Sequence, residues 1–357
     1  MHRYVIREIC KEMYHAGSKA TRDCAEILLR KDFQPIDMYN YQGKTGIGDK
    51  LKKRVQLIRL LKIKSKSIVV IPHPMYIGAL YIEMLKIVKV LKRIKIIFVI
   101  HDLESLRGMF KEQEFVFGFL DDAMLKFGDV FIAHNEKMKQ YLVEERKISE
   151  NKIVVLGLFD YLSEKRNLYK ERKVENIEIV IAGNLSPQKS GYIYKLRESN
   201  TELKFSLYGL NYEQANTQIK NWNYKGVFPP SELVSVLQGD YGLVWDGDEL
   251  ASCVGSTGDY LKYNNPHKAS LYIAAELPVV IWNESALADY VIAKKIGIGI
   301  DSLERLEETI NAVSREEYMQ MKENIKIIAK KVRNGEFFEE AYEKAESKVR
   351  SYYANKN

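Results

Sequence analysis

The chain has 357 residues, 46% hydrophobic and 29% charged, with a net charge of +7, the composition of a soluble globular protein. That length exceeds one ordinary core and fits two domains of about 150–200 residues each. No apolar run approaches the roughly 18 residues of a transmembrane helix, and the N-terminus lacks a signal-peptide apolar region. Three scattered cysteines, Cys10, Cys24 and Cys253, exclude a disulfide framework and a zinc site and fit a reduced, cytoplasmic setting.

Charge is uneven along the chain. Residues 1–100 hold 21 Lys/Arg against 8 Asp/Glu, and the remainder is net acidic. Two stretches carry the excess, 49–67 and 83–95, in which Leu51, Val55, Ile58, Leu60 and Leu61 recur at helical spacing among lysines and arginines. Such a helix either lies on an anionic membrane or covers a sheet with a solvated basic face, the commoner arrangement. Nucleic acid is disfavoured because no aromatic stacking set accompanies the basic residues.

In chain order, Tyr4–Ile9 predicts a first strand, followed by the loop KEMYHAGS and a helix from about Ser18 to Arg30, with Ser18 as its N-cap and Gly17 allowing close backbone approach. Strands are predicted at Ile36–Asn40, Ser67–Ile71, Lys95–Ile100, Val130–Ala133 and Lys152–Leu156. The loop YQGKTGIGDK, the basic stretches and helices over about 77–93, 115–127 and 136–145 fall between them. Strand alternating with helix is the pattern of a doubly wound parallel sheet, in which His73, His101, Asp102, His134, Asn135 and Asp160 gather at the strand C-terminal edge. His101-Asp102, followed by Arg107, is the sharpest of these, because a carboxylate beside an imidazole suits a general base; an Asp that caps the next segment is the alternative.

Residues 161–175 are charged and aperiodic and read as a linker. A second α/β series follows, with strands at Ile177–Ile181, Lys204–Leu207, Gly226–Phe228, Tyr241–Trp245 and Val279–Trp282, then GIGID at 297–301. A helix is predicted over His267–Glu276, others from about 285 and over Ser302–Val313, and a long helical run over 315–353 with a break near Asn334–Gly335. Two doubly wound domains are therefore expected, 1–160 and 176–330, facing each other across a cleft, with residues 331–357 reaching back to the first.

Such an architecture serves sugar transfer, solute binding or epimerisation, and the strand ends of the second series decide between them. AGNLSPQKS offers Gly183, Asn184 and Lys189; YGLNY offers Tyr208 as a flat face; WDGD offers Asp246; YNNPHK offers Tyr263, Asn264, His267 and Lys268. A lysine in the first turn of a helix opposes the dipole unless an anion docks there. Two lysines, an aromatic and helix-start amides match a nucleoside diphosphate. No acidic pair demands a metal and His267 alone is no zinc site, so a metal-independent reaction is expected.

GDYGLVWDGD and YLKYNNPHKASLYIAAELPVVIW resemble bacterial galactofuranosyltransferases of the GT-B fold, and more loosely the glucosyltransferases that extend glycans on serine-rich-repeat adhesins. The likeness extends to AGNLSPQKSG, PPSEL, GSKA and HDLESLR. It implies an α/β GT-B chain of two Rossmann-like domains. The C-terminal one would hold a UDP-sugar through Lys189, Tyr208, Asn264, His267 and Lys268, with no further cofactor. The N-terminal one would hold a glycan or lipid-linked acceptor near Gly17, Ser18, His101, Asp102 and Arg107. It also implies inversion at the anomeric carbon, with Asp102 as the base and His101 in reserve. The Glu-x7-Glu pattern of many retaining relatives is absent, since Ile292 stands eight after Glu284, and where the adhesin enzymes carry an arginine in the GN loop this chain has only Lys189, slightly farther along. The expected donor is UDP-galactofuranose, with UDP-glucose and a non-catalytic sugar-nucleotide-binding partner subunit as alternatives. Membrane contact and homodimerisation stay open.

Overall fold

The computed structural model describes residues 1–9, 16–40, 46–108, 114–167, 177–199, 201–214 and 220–354. They form two compact units, Met1–Gly157 with Phe337–Asn357, and Leu158–Glu336. The sequence placed these divisions at 160 and 330. Among the described residues no helix is long and apolar enough to cross a membrane.

The first unit contains strands β1 (Arg3–Ile9), β2 (Gln34–Tyr39), β3 (Ile68–His73), β4 (Lys95–Ile100), β5 (Val130–Ala133) and β6 (Ile153–Val155). They form one sheet in the order β2-β1-β3-β4-β5-β6, every pairing parallel. Parallel strands covered on both faces need continuous apolar runs, and all six residues of β3 and all four of β5 are buried. β1 pairs with β2 at Ile6↔Ile36 and with β3 at Tyr4↔Val69, so the winding reverses at β1/β3.

Helices Ala16–Leu29, Ala79–Lys92, Glu114–Phe127 and Glu136–Glu144 alternate with these strands. Asn135 opens the last of them, its Oδ1 accepting a hydrogen bond from the Met138 amide at 2.9 Å. The first corrects one expectation: it starts at Ala16, so Ser18 lies inside its first turn and is not its N-cap. Most of the loop KEMYHAGS (11–15) and the first half of YQGKTGIGDK (41–45) lie outside the described residues.

Helix Glu336–Ala354 completes the first unit. Lys31 forms ion pairs with Glu339 and Glu343, and Phe33 meets Tyr342 edge to face at 5.2 Å. The preceding helix, Arg315–Asn334, carries a capping box of Ser314 and Glu317 and stops at Gly335, whose φ of 92° is the left-handed conformation that glycine tolerates.

The second unit contains β7 (Glu178–Asn184), β8 (Lys204–Leu210), β9 (Trp222–Gly226), β10 (Tyr241–Val244), β11 (Val279–Trp282) and β12 (Gly297–Ile300). Their order is β12-β11-β10-β7-β8-β9, again parallel, with Tyr241↔Ile179 and Gly242↔Val279 in register. Ile179, Ile181, Phe205, Leu207, Leu243, Trp245 and Trp282 fill its core. β9 lies earlier than the predicted Gly226–Phe228, because Trp222 stacks on Phe205 at 4.2 Å and fixes the register there. The first part of the expected linker is not a linker. Tyr161 is 3% exposed, its hydroxyl donates to Pro230 O at 2.8 Å, and Asn167 Nδ2 donates to Leu237 O at 2.9 Å. Residues 168–176 lie outside the described set.

Candidate functional site

In the second unit the winding reverses at β7/β10, and the segments leaving those two strands separate along the C-terminal edge, the position at which open α/β sheets bind ligands. β7 ends at Gly183 and Asn184, both exposed. The close approach of β7 and β8 at this edge requires glycine: a Cβ on Gly209 would lie 1.8 Å from Gly183 O, and its φ is +148°. Asn184 Oδ1 accepts from the Ser186 amide and from Asn211 Nδ2, both at 3.1 Å, which fixes the turn into the short helix Pro187–Ser190 that carries Lys189. The Gly247 amide donates to Lys189 O at 3.3 Å, so this turn abuts the segment leaving β10.

Asp246 stands two residues beyond β10, and Lys268 in the first turn of helix His267–Ala274. Lys268 Nζ donates to Asp246 Oδ1 at 2.8 Å and to Trp245 O at 2.9 Å, and the two side chains are 15% and 10% exposed. One of the two expected cations is thus positioned by a carboxylate and a strand-end carbonyl. Asn184, Lys189, Asp246 and Lys268 are brought to the same switch point.

The segment before the helix adds Tyr263 and Asn264, both half-buried. The Asn264 amide donates to Tyr260 O at 3.0 Å, whereas its side-chain Oδ1 is buried and accepts no hydrogen bond from any of the described residues. A buried carbonyl oxygen without a donor is costly, and a ligand N–H or O–H would satisfy it. The His267 ring stacks on Tyr161 at 5.0 Å, and its Nε2 donates to Asp160 O at 3.2 Å. Tyr208 departs from the expectation of an open aromatic face. It is 2% exposed, and its hydroxyl donates to Val236 O at 3.3 Å and accepts from the Gln238 amide at 3.0 Å, so it braces that loop.

In the first unit, the amides of His101 and Asp102 both donate to His73 O, at 2.7 and 3.3 Å, which anchors the pair to the end of β3. Arg107 Nη1 donates to Asp102 Oδ2 at 2.9 Å and lies 3.4 Å from Glu104 Oε1. Gly17 and Ser18 fall within helix Ala16–Leu29, which follows β1. His134 is spent on structure: its Nε2 bonds Ile100 O at 2.9 Å, and burial pushes its pKa down to about 4.

At this edge His73, one of the strand-end residues, joins a polar cluster whose other members, Asp121, Ser105, Tyr76, Glu104 and Glu8, the strand-end pattern does not single out. His73 Nε2 bonds Asp121 Oδ1 at 2.6 Å, and Asp121 Oδ2 accepts from the Ser105 amide and hydroxyl at 2.8 and 2.5 Å. Burial opposes ionisation of Asp121, but the bonds from His73 and Ser105 outweigh it and hold its carboxyl below the ordinary value. Tyr76 donates its hydroxyl to Glu104 Oε1 at 2.7 Å, and its amide donates to Glu8 Oε1 at 3.2 Å. Burial raises Glu8 to about 7, against bonds from the Tyr76 amide and the Asn40 side chain. The available signal was Glu8, the one acid of the strand RYVIREI, placed near its C-terminal end.

Two family descriptions cover the chain: "Glucosyltransferase 3-like, N-terminal domain" matches residues 2–158 and "Glucosyltransferase 3-like, C-terminal domain" matches residues 179–345. The beta-1,6-galactofuranosyltransferase WbbI of Escherichia coli (strain K12) is 33% identical over 344 residues, 95% of this chain and 97% of WbbI. Glucosyltransferase 3 of Streptococcus gordonii is 24% identical over 89% of this chain and 90% of its own length. Among solved structures, Anabaena HepE in complex with UDP matches with a TM-score of 0.59 at 13% identity, covering 99% of this chain and all 100% of HepE. An alpha-glucosyltransferase in complex with UDP matches at 0.54 and 12% identity, covering 94% of this chain and 96% of that one. The two parallel six-stranded sheets are thus those of the GT-B architecture. The chain belongs to the glucosyltransferase 3-like family of glycosyltransferases.

Proposed function

We propose that this glycosyltransferase moves galactofuranose from UDP-galactofuranose to a hydroxyl of a cell-surface glycan precursor, inverting the anomeric carbon and using no metal. The observation that carries the donor is the similarity to WbbI along nearly the whole chain. In this reading the second unit holds the donor. Lys189 and Lys268, with the amides that open helix His267–Ala274, take the diphosphate. Asn264, with Tyr263 beside it, meets the nucleoside, its bare Oδ1 accepting from the uracil or the ribose. Gly183 and Asn184 line the donor's approach, and Asp246 or His267 orients the sugar.

The first unit supplies the acceptor contacts, near Gly17, Ser18 and Arg107, and the base. Asp102, steadied by Arg107, takes the proton of the acceptor hydroxyl, with His101 in reserve. The acceptor oxygen bonds to the anomeric carbon as the bond from that carbon to the diphosphate breaks. UDP leaves with the electron pair, its charge met by the two ammonium groups.

UDP release from a panel of UDP-galactofuranose, UDP-galactose and UDP-glucose tests the donor. Preference for UDP-glucose would support the second reading, which the similarity to glucosyltransferase 3 favours. An undiminished rate in excess EDTA is expected, and its loss would remove metal independence. Tight UDP uptake without turnover on any acceptor would point instead to a sugar-nucleotide-binding partner subunit.

A further inference from the structure

The amphipathic segment at the start of the first unit turns its apolar stripe outward. Helix Ile47–Val55 contains no buried residue. Ile47, Leu51, Val55 and Ile58 follow one another at spacings of four, four and three, one stripe of a helix, and are 89%, 61%, 54% and 60% exposed. Its continuation, the 3-10 turn Gln56–Lys62, buries Leu57 and Leu60 instead, so the segment is anchored while the stripe remains in water.

A second apolar set lies beside it. The last turns of helix Ala79–Lys92 expose Ile87, Val90 and Leu91 at 52%, 76% and 75%. Lys92 Nζ donates to Leu61 O and Ile63 O at 2.5 and 2.6 Å, and the Lys66 amide donates to Lys92 O at 2.8 Å. The two sets therefore flank one junction.

Cations surround them. Residues 47–66 and 79–95 together hold 13 Lys/Arg against 2 Asp/Glu, leaving 42 against 46 in the rest of the chain. Lys89 and Lys95 are tied to Asp129, but among the described residues no ion pair joins Lys50, Lys53, Arg54, Lys62, Lys64 or Lys66 to a carboxylate. A second copy of so basic a face would repel the first. A surface that exposes aliphatic side chains within a ring of lysines and arginines complements anionic headgroups above an apolar interior.

We infer that this face docks the protein on an anionic lipid bilayer, with Ile47, Leu51, Val55, Ile58, Val90 and Leu91 entering the headgroup layer. Docking is independent of which sugar is transferred, and its readout is retention on vesicles, separate from turnover. The test is flotation of the whole chain with vesicles of phosphatidylcholine alone and with about 30% phosphatidylglycerol, at about 50 and about 500 mM salt. Retention is expected only on the anionic vesicles at low salt. Each neutralised cation should weaken it about fivefold, so Lys50→Gln/Lys53→Gln/Arg54→Gln should lose about 100-fold. Leu51→Ser/Val55→Ser and Val90→Ser/Leu91→Ser should weaken it as well, while circular dichroism shows all three variants folded.

Absence of retention at low salt would overturn the inference. So would retention that none of the variants changes. A dimer in sedimentation that Leu51→Ser/Val55→Ser dissolves, without vesicle retention, would assign the face to a second copy instead.

Discussion

Replacing Lys268 with methionine keeps the stem and removes the charge that answers Asp246. Two contacts vanish, the 2.8 Å bond to Asp246 Oδ1 and the 2.9 Å bond to Trp245 O. Stripping one partner from a buried pair costs about 3–5 kcal/mol, and the residual exposure of these side chains places this pair near about 3 kcal/mol. The proposed phosphate contact adds a separate loss, about 1.5–3 kcal/mol of UDP affinity, or roughly 10- to 150-fold in Kd. The two effects separate in a cycle of Lys268→Met, Asp246→Asn and the double variant. Urea unfolding read by fluorescence suits the first measurement, because all three tryptophans, Trp222, Trp245 and Trp282, lie in the second unit. Calorimetry with UDP suits the second. The double variant should regain most of the stability and none of the affinity. If it regains both, Lys268 serves only to neutralise Asp246, and the diphosphate assignment fails.

Asp102→Asn should lower turnover by roughly 10²–10⁴ at unchanged UDP affinity, and near-normal turnover would pass the base role to His101. Glu8 gives a pH dependence of definite sign. Its folded value of about 7 exceeds the ordinary 4.5, so between these values the folded chain keeps a proton that the unfolded chain has lost, and stability falls as pH rises through that window. Glu8→Gln should flatten this slope and stabilise the protein at pH 8 by about 1–2 kcal/mol, allowing for a carboxyl that water partly reaches. Parallel unfolding curves of wild type and variant from pH 5 to 8 would refute it. Gly209→Ala places a methyl against Gly183 O in a backbone region closed to alanine and should cost about 2–5 kcal/mol in tryptophan-monitored unfolding. A loss below about 0.5 kcal/mol would show that the strand ends yield freely.

Continuous apolar runs made the two sheets legible. IVVI and IIFVI have one reading as buried parallel strands, and Pro266 with Lys268 marked the helix that carries the site. Strand β9 was misplaced because WNYKG has little apolar character of its own, and contacts to the neighbouring strand set it, Trp222 stacking on Phe205 and the Tyr224 hydroxyl donating to Gly209 O. The linker was misjudged for a related reason: a charged, aperiodic stretch hides one anchoring residue, Tyr161, whose burial depends on His267, more than a hundred positions away. Tyr208 shows the limit at single residues. Its place at a strand end was readable, but its hydroxyl is claimed by Val236 and Gln238 from another loop. The cluster of His73, Asp121, Ser105, Tyr76 and Glu8 joins four separate segments, and no spacing announces it.

The return of residues 337–357 makes the second unit an insertion into the first. The half that carries Lys268 begins and ends inside the chain, so a nonsense codon just after Glu336 would spare every strand of that half. The damage would fall on the opposite half, which would lose the partners of Lys31 and Phe33 although its own six strands had long since been translated. On the ribosome the earlier half must likewise wait for the codons of 337–354, which follow all those of the later one.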